Sequence, residues 1–379
     1  MRLHVLRHTG LVVLDVVSIA VLSLFLASAF CWAFSPAEHP FISIFAMAFP
    51  LLLIAEIAMV ICWLFCKKWI MACVMALPIL IAYNSIAYVL PVTLLDPHTS
   101  AEDTTFTLMT YNCHSLIPYN KSLRDNSEST DRNVTLDAIL NSGADIVCLQ
   151  ECFDYNLTDF SHVGAKQMKD LNRIYPYNRR SGYDNAIFSK YPIVEHTCYT
   201  KDTDVYSITR SAIKINHDTV IVFNTHLQSF ALLQCDKSAF KSITSVQNVP
   251  QDVKNRSLIY SFFKYRLYPK LAVAMKKRQK QAEQLATLIK RETKSVIVCG
   301  DFNDVPNSYA HHTIGKGLTD VHREIGNGIQ NTFYASHFFF RIDHIFYSPG
   351  RLNAINLNVK DWKYSDHYPQ IVTFSLPKE

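Results

Sequence analysis

The sequence predicts a layered α/β sandwich preceded by three membrane-spanning helices. Three observations carry this. Apolar runs at about 11–34, 41–66 and 69–95 open the chain. From residue 104 onward, strand-like and helix-like segments alternate. Several of those strands end in Asn, Glu, Asp or His, the side chains of metal and phosphate chemistry.

Each apolar run is longer than the roughly 20 residues a helix needs to cross a bilayer. A cleaved signal peptide would have one shorter apolar core and no further runs behind it. Pro50 and Pro78 fall inside the runs, which membrane helices tolerate. Lys and Arg favour the cytoplasmic side. Arg2 and Arg7 precede the first run and Lys67 and Lys68 separate the second from the third. "SPAEHP" (35–40) and "DPHTSAEDTT" (96–105) hold no Lys or Arg. The expected topology is a cytoplasmic N-terminus in an inner or plasma membrane. Three crossings then put everything after about residue 96 on the periplasmic or extracellular side. Glu56 falls in mid-membrane, where an ionised carboxylate is costly. It is expected to be protonated and to pack between helices rather than serve transport.

The formal charge of +5 belongs entirely to the part after residue 96. Residues 1–96 hold four basic side chains (Arg2, Arg7, Lys67, Lys68) and four acidic ones (Asp15, Glu38, Glu56, Asp96). This mild excess suits an anionic substrate but is small for a dedicated nucleic-acid-binding domain. Of the ten cysteines, Cys31, Cys62, Cys66 and Cys73 lie in or beside the apolar runs. The others are scattered, with no CxxC pair and no Cys/His zinc spacing.

In chain order, "FTLMTYN" (106–112) alternates as a strand. "RNVTLDAILNSGADIVCLQE" (132–151) reads as a helix, Gly143, then an apolar strand. "NAIFSKYPIVEHTCY" and "RSAIKINHDTVIVFNTHLQ" read as strands joined by turns. "KKRQKQAEQLATLIKRE" (276–292) is an amphipathic helix with Ala282, Leu285, Ala286, Leu288 and Ile289 on its apolar side. "SVIVCGD" and "RIDHIFYS" (341–348) are strands, and "YSDHYPQIVTFSL" (364–376) is a loop entering a last one.

Six ends of these segments carry Asn112, Gln150–Glu151, Asn224 with His226, Asp301 with Asn303, Asp343 with His344, and Asp366 with His367. One such end is an ordinary turn signal. Six together suit a single site, because a rigid sheet can bring strand ends to one edge. Carboxylates are hard ligands for Mg²⁺-like ions, which also bind phosphate oxygens. Histidine can donate a proton or stabilise charge, and a neighbouring Asp fixes its tautomer. The phosphate loop GxxxxGK[ST] and the serine elbow GxSxG are both absent from the sequence. Phosphoester hydrolysis is the chemistry this residue set fits.

"MTYNCHS", "CLQE", "NAIFSKYPI", "NTHL", "GDFND", "RIDHIF" and "SDHYP" occur in the order typical of the endonuclease/exonuclease/phosphatase family. The ordered set resembles that family over about residues 104–377. The resemblance implies a four-layer α/β sandwich of the DNase I-like kind, spanning about 97–379. It also implies a divalent metal, Mg²⁺ with Mn²⁺ or Ca²⁺ as alternatives. By position, Glu151 matches the main metal ligand and Asp366 a second metal-side carboxylate. Asn112 and Arg210 match phosphate-contacting residues. Asp301 and Asn303 match the pair that orients the attacking water. His226 matches the histidine that stabilises a phosphate oxygen, and Asp343 and His367 the Asp–His pair. Asn185 fits a supporting role or a turn, and Asp304 is expected to cap the turn after the strand.

Two stretches depart from a minimal member. Residues 228–275 form an aromatic and basic insert, readable as an interfacial segment, a substrate lid or a helix packed on the sheet. "SHFFFRIDH" sets Phe338, Phe339 and Phe340 before Asp343, either at the site or in the core. Membrane tethering concentrates a lipid substrate, so a lipid or lipid-linked phosphoester is the favoured expectation. An outward-facing nuclease is the alternative. A non-catalytic membrane-anchored binding protein is a third reading, against which the full set of polar strand ends argues.

Overall fold

The computed structural model describes residues 2–93, 103–119, 133–152, 165–181, 184–200, 206–230, 260–261, 263–334 and 340–377. Phe338, Phe339 and most of the 228–275 insert lie outside these residues.

Four helices come first: α1 (Arg2–Ala29), α2 (Pro40–Phe65), α3 (Trp69–Ile81) and α4 (Tyr83–Val89). The segments Thr9–Ala29 and Pro40–Phe65 are each long and apolar enough to cross a membrane. The third run is not the single continuous helix that its length suggested. α3 and α4 meet at a 62° bend and make a span only as a pair. Pro78 lies four residues before the break at Ala82 and cannot donate the backbone bond of its turn. Val13, Val16, Ile19, Leu51, Ile54, Ile61, Ile70 and Leu80 point outward and are exposed. So large an apolar surface is costly in water and costs nothing in lipid. Facing inward, Phe25, Phe49, Leu53 and Ala82 pack together, and Trp63 Nε1 donates to Ser18 Oγ at 2.9 Å. Glu56 is wholly buried in this bundle.

The remaining chain folds as two six-stranded sheets. One has the order β11-β12-β1-β2-β4-β3, the other β5-β6-β7-β8-β10-β9. The strands are β1 (Thr104–Asn112), β2 (Ile146–Gln150), β3 (Tyr177–Ser181), β4 (Asn185–Ser189), β5 (Ile193–Cys198) and β6 (Ile208–Ile215). β7 (Asp218–His226), β8 (Ser295–Asp301), β9 (Thr319–Asp320), β10 (Asp343–Tyr347), β11 (Asn353–Val359) and β12 (Gln370–Leu376) follow. The helices are α5 (Val134–Leu140), α6 (Ala165–Ile174), α7 (Tyr268–Ile289), α8 (Tyr309–Ile314) and α9 (Val321–Ile325).

Strict alternation builds the layers. Leu108, Ile146 and Cys148 of one sheet meet Val220, Val222, Ile297 and Cys299 of the other in a central core. The intervening residues Met109, Val147 and Leu149 face α5 and α6. Ile221, Phe223, Val296 and Val298 face α7 and α8. The result is the four-layer order helix, sheet, sheet, helix. α7 starts eight residues before the basic helix read from the sequence. Leu271, Ala274 and Met275 are buried on it, so the last part of the 228–275 insert is packed helix.

Gly300 has no substitute. Its φ is +134°, and a Cβ there would lie 2.0 Å from the Thr225 carbonyl oxygen on the paired strand. Gly300→Ala is expected to destabilise the protein by about 4 kcal/mol or more, the range of a severe steric defect. Thermal unfolding of the variant checks this, and a midpoint within a few degrees of wild type would refute it.

Candidate active site

Each sheet contains one parallel strand pair, β1/β2 in the first and β7/β8 in the second. The carboxyl ends of these four strands lie along adjoining edges of the sandwich, the usual place for a ligand in parallel sheets. β1 ends at Asn112, β2 just before Glu151, β7 at His226 and β8 at Asp301. In register, His226 lies beside Asp301, and Asp343 of antiparallel β10 lies opposite it.

Asp301 is the centre. Its Oδ2 accepts from Asn112 Nδ2 at 3.0 Å, and its Oδ1 accepts from the Asn303 backbone N–H at 2.7 Å. The Nε2 atoms of His226 and His367 each lie 3.7 Å from the same Oδ2. That spacing is too long for a hydrogen bond. Each imidazole is braced from behind. His367 Nδ1 is 2.8 Å from Asp343 Oδ2, and His226 Nδ1 is 2.7 Å from Asp184 Oδ1. Two Asp–His pairs therefore aim their free nitrogens at one carboxylate. Asn112 is held by its own backbone turn: its Oδ1 accepts from His114 N at 3.2 Å, which aims Nδ2 at Asp301 and at Glu151 Oε1, 3.1 Å away. Glu151 and Asn303 both have positive φ, 51° and 52°. Leaving the strand direction there turns each side chain toward the edge, at a cost of about 1 kcal/mol or more per residue.

Electrostatics follow from burial. Desolvation raises the Asp301 carboxyl, Asp343 raises it further, and His367, His226 and Asn112 partly offset this, leaving it at about 6. Burial alone would lower His226, but Asp184, Asp301 and Glu151 outweigh it and lift the imidazole to about 9. His367 is likewise lowered by burial and raised more by Asp343, Asp301 and Asp366, ending well above its ordinary value. Both imidazoles are therefore shifted toward their protonated form, facing the Asp301 carboxylate. Asp366 is half-buried next to His367, and its carboxylate accepts from Ser365 Oγ at 3.3 Å.

The residues fit a divalent cation. Ligand atoms of Asp301, Asp343 and His367 lie within 4.8 Å of one another, but His367 is engaged by Asp343 and shifted toward protonation, so the half-buried Glu151 carboxylate, held through Asn112, is the donor left for a cation. This oxygen-rich set suits hard ions.

Not every candidate comes together here. Arg210 sits mid-strand on β6, on the face that α7 covers. Its Nε is 2.6 Å from Glu292 Oε1 and its Nη1 2.9 Å from Glu195 Oε2. Alternation puts residues 208, 210 and 212 of β6 on the helix side, so Arg210 is a structural ion pair away from the site. Gln150 and Asn224 point between the sheets, with Gln150 Nε2 donating to Asn224 Oδ1 at 2.7 Å. Asn185 Nδ2 joins them through the Asn224 carbonyl at 3.0 Å. These amides seal the core beneath the site. Asp304 turns away, its Oδ2 3.0 Å from Nη1 of the buried Arg278. Phe340 pairs with Phe333, whose ring centroid is 5.0 Å from that of His367.

Two residues escaped the sequence reading. Asp184 is one position from the quoted "NAIFS", and its alignment with His226 exists only in three dimensions. Arg278 was one basic residue among many on α7. It is 1% exposed, donates from Nε to the Gln228 carbonyl at 3.0 Å and stacks on Phe230. It thereby clamps the two loops that follow β7 and β8.

A second cluster lies behind β10. His311 Nε2 is 2.8 Å from Asp320 Oδ2, and His344 Nε2 donates to the Asp304 carbonyl at 2.8 Å. His312 stacks on Trp32. Burial, with His311 and Arg323, lowers His312 to about 3. Burial, with Arg341, holds His322 and His344 well below their usual values. These imidazoles are neutral when folded and bind protons when unfolded. Their stabilising effect is therefore complete above about pH 6.5 and is lost as pH falls toward the folded values. Burial alone would raise the Asp320 carboxyl, but His311, Arg341 and His322 hold it well down, adding a loss of the same sign below about pH 4. Stability is expected to drop by on the order of 2 kcal/mol per histidine between pH 6.5 and 5. Denaturant titrations across that range measure it, and a flat profile would contradict it.

A model of the Endonuclease/Exonuclease/phosphatase family matches residues 109–367, and one of a domain of unknown function matches residues 11–88. No curated protein matches the chain. Among solved structures, a humanized D. rerio TDP2 is 15% identical with a TM-score of 0.48, covering 71% of this chain and 98% of its own. A Bacteroides thetaiotaomicron protein of the endonuclease/exonuclease/phosphatase family is 18% identical with a TM-score of 0.43, covering 73% and 100%. With the family model spanning residues 109–367, which hold every strand end of the site, the chain belongs to the endonuclease/exonuclease/phosphatase family.

Proposed function

We propose that this protein is a membrane-anchored, divalent-metal-dependent phosphoester hydrolase, favouring a lipid or lipid-linked phosphoester. The observation that carries the reading is the convergence of two carboxylate-braced imidazoles and an amide on Asp301, beside Glu151. Glu151, aided by Asn112 and Asp366, would hold the cation, Mg²⁺ by preference. A bound cation supplies charge stabilisation on the phosphoryl oxygens. Asp301 and Asn303 orient the attacking water, and Asp301, with its raised pKa, accepts the proton. The positively charged His226 and His367 stabilise charge on the non-bridging oxygens. Asp184 and Asp343 hold those rings in position.

The helices support an outward-facing domain. α1 ends and α2 begins beside the sandwich: Asn307 Nδ2 donates to the Ser28 carbonyl at 2.8 Å, and Ser35 Oγ to Gln279 Oε1 at 3.1 Å. Lys67 and Lys68 lie at the far end of α2, and Arg2 and Arg7 at the start of α1. The positive-inside tendency favours the cytoplasm for that end.

The test is hydrolysis by the full chain in nanodiscs, with and without EDTA and with Mg²⁺, Mn²⁺ or Ca²⁺ restored. The panel comprises sphingomyelin-type and phosphoinositide lipids, supercoiled DNA, RNA and bis(p-nitrophenyl) phosphate. Metal-dependent lipid turnover supports the reading. Comparable nicking of DNA favours the nuclease alternative, and no turnover of anything by folded protein favours a binding protein.

A further inference from the structure

His226 ends β7, and Asn303 lies two residues beyond the end of β8. The loops that follow these strands are joined directly. Leu227 N donates to the Asp301 carbonyl at 2.9 Å, and Asn303 Nδ2 donates to the Leu227 carbonyl at 2.9 Å. The second bond aims the Asn303 amide, so the place of Leu227 sets the place of Asn303. Leu227 is fixed in turn through its neighbour. Gln228 N donates to Gln281 Oε1 of α7 at 2.8 Å, and the Gln228 carbonyl accepts from Arg278 Nε at 3.0 Å.

Arg278 closes the circle. Its Nη1 lies 3.0 Å from Oδ2 of Asp304, the residue next to Asn303. Arg278, Gln228, Leu227, Asn303 and Asp304 thus form one ring of contacts that ties both loops to α7. His344 Nε2 holds the Asp304 carbonyl at 2.8 Å, so the ring also rests on β10. The Arg278 guanidinium is buried, with the Phe230 ring centroid 4.5 Å from its Cζ.

Packing alone does not call for an arginine at this position. α7 fills its other buried positions, 271, 274, 275, 282 and 285, with Leu, Ala and Met. Replacing a buried ion pair by apolar side chains is often neutral for stability. What an apolar residue cannot do is fix two loops at a set distance. Nor can lysine, whose flexible stem carries a point charge, whereas the planar guanidinium directs Nε and Nη1 to two partners in one rigid frame.

We propose that Arg278 is a positioning residue: by holding Gln228 and Asp304 it sets the spacing of His226 and Asn303, and with it the rate of the chemical step. This rests on the hydrolase reading above and adds a residue to it. Its burial shuts Arg278 off from substrate, so its influence passes through Asn303 and His226.

The test uses Arg278→Lys and Asp304→Asn in the full chain in nanodiscs, with Leu285→Ala on the same helix as a packing control. On whichever phosphoester of the panel wild type hydrolyses, Arg278→Lys is expected to lower kcat roughly 10- to 100-fold with KM within about twofold, the pattern of a displaced catalytic group. Leu285→Ala should lower the unfolding temperature and leave kcat of the folded protein unchanged. Adding Arg278→Lys to Asn303→Ala should cost little further kcat, because the two act through one contact; a full multiplicative loss would overturn the proposal. Hydrogen exchange reads the brace without turnover. Both 226–230 and 302–308 should exchange faster in Arg278→Lys and in Asp304→Asn, and loosening of one segment alone would refute a shared brace. If wild type is active and kcat is unchanged in Arg278→Lys, the positioning role alone fails. If folded wild type hydrolyses nothing, the hydrolase reading fails and takes the positioning role with it.

Discussion

Asp301→Asn is expected to lower kcat/KM for phosphoester hydrolysis by roughly 10²–10⁴-fold, the range for losing a positioned general base. The fold should survive, because asparagine has nearly the same shape and the neighbouring backbone N–H of Asn303 still finds an oxygen. The variant removes the one anion facing both imidazoles. Asp301 is among the groups that raise His226 and His367, so both should titrate at lower pH in the variant. NMR titration of the imidazole resonances reads that shift independently of turnover. Combining Asp301→Asn with His367→Ala should cost little more than the larger single change, since groups acting as a unit are not additive. Near-wild-type kcat/KM in Asp301→Asn would remove Asp301 from the mechanism.

The second large effect concerns the N-terminal helices. Deleting residues 1–96 is expected to cut turnover at least tenfold, even on a soluble phosphodiester. The loop after Asp301 is fastened to those helices. Asn307, at φ +72°, donates to the Ser28 carbonyl, and Cys31 Sγ lies 3.4 Å from the Asn307 carbonyl. Val305 and Ile342 are buried against Ala46 and Cys31. The loop before Asp343 is held too, through Arg341 and the Tyr88 carbonyl. Without the helices, Val305, Ile342 and Phe340 become an exposed apolar patch, and the loops carrying Asn303 and Asp343 lose their supports. A shift of about 1 Å in a catalytic group can cost about 10²-fold. Comparing residues 97–379 with the full chain by turnover and by hydrogen exchange over 302–308 tests this. Equal activity with equal protection would show that the helices only anchor.

Several features were legible in the sequence because local physics dictates them. Leu108, Ile146, Val222 and Ile297 alternate with polar or oppositely facing neighbours, so the strands announced themselves. Polar residues at strand ends, from Asn112 to His367, marked a shared edge, and their order marked the family. The apolar length of α1 and α2 marked helices able to cross a membrane without any tertiary information.

What only the tertiary structure decided depends on which side a residue faces and on what lies across from it. Arg210 and His226 are both polar residues in strands, yet alternation turns Arg210 to α7 and Glu292, while His226 ends its strand beside Asp301. Gln150 and Glu151 are adjacent, but the positive φ of Glu151 sends it to the site and leaves Gln150 between the sheets. Asp184 reaches His226 from 42 residues away, and no spacing rule encodes so remote a pairing. The bend between α3 and α4, and the seating of Ala46 on Val305, arise where two folding units meet. The sequence by itself determined the elements and the chemistry at their ends; packing between the sheets and against the helices decided which of those ends became one site.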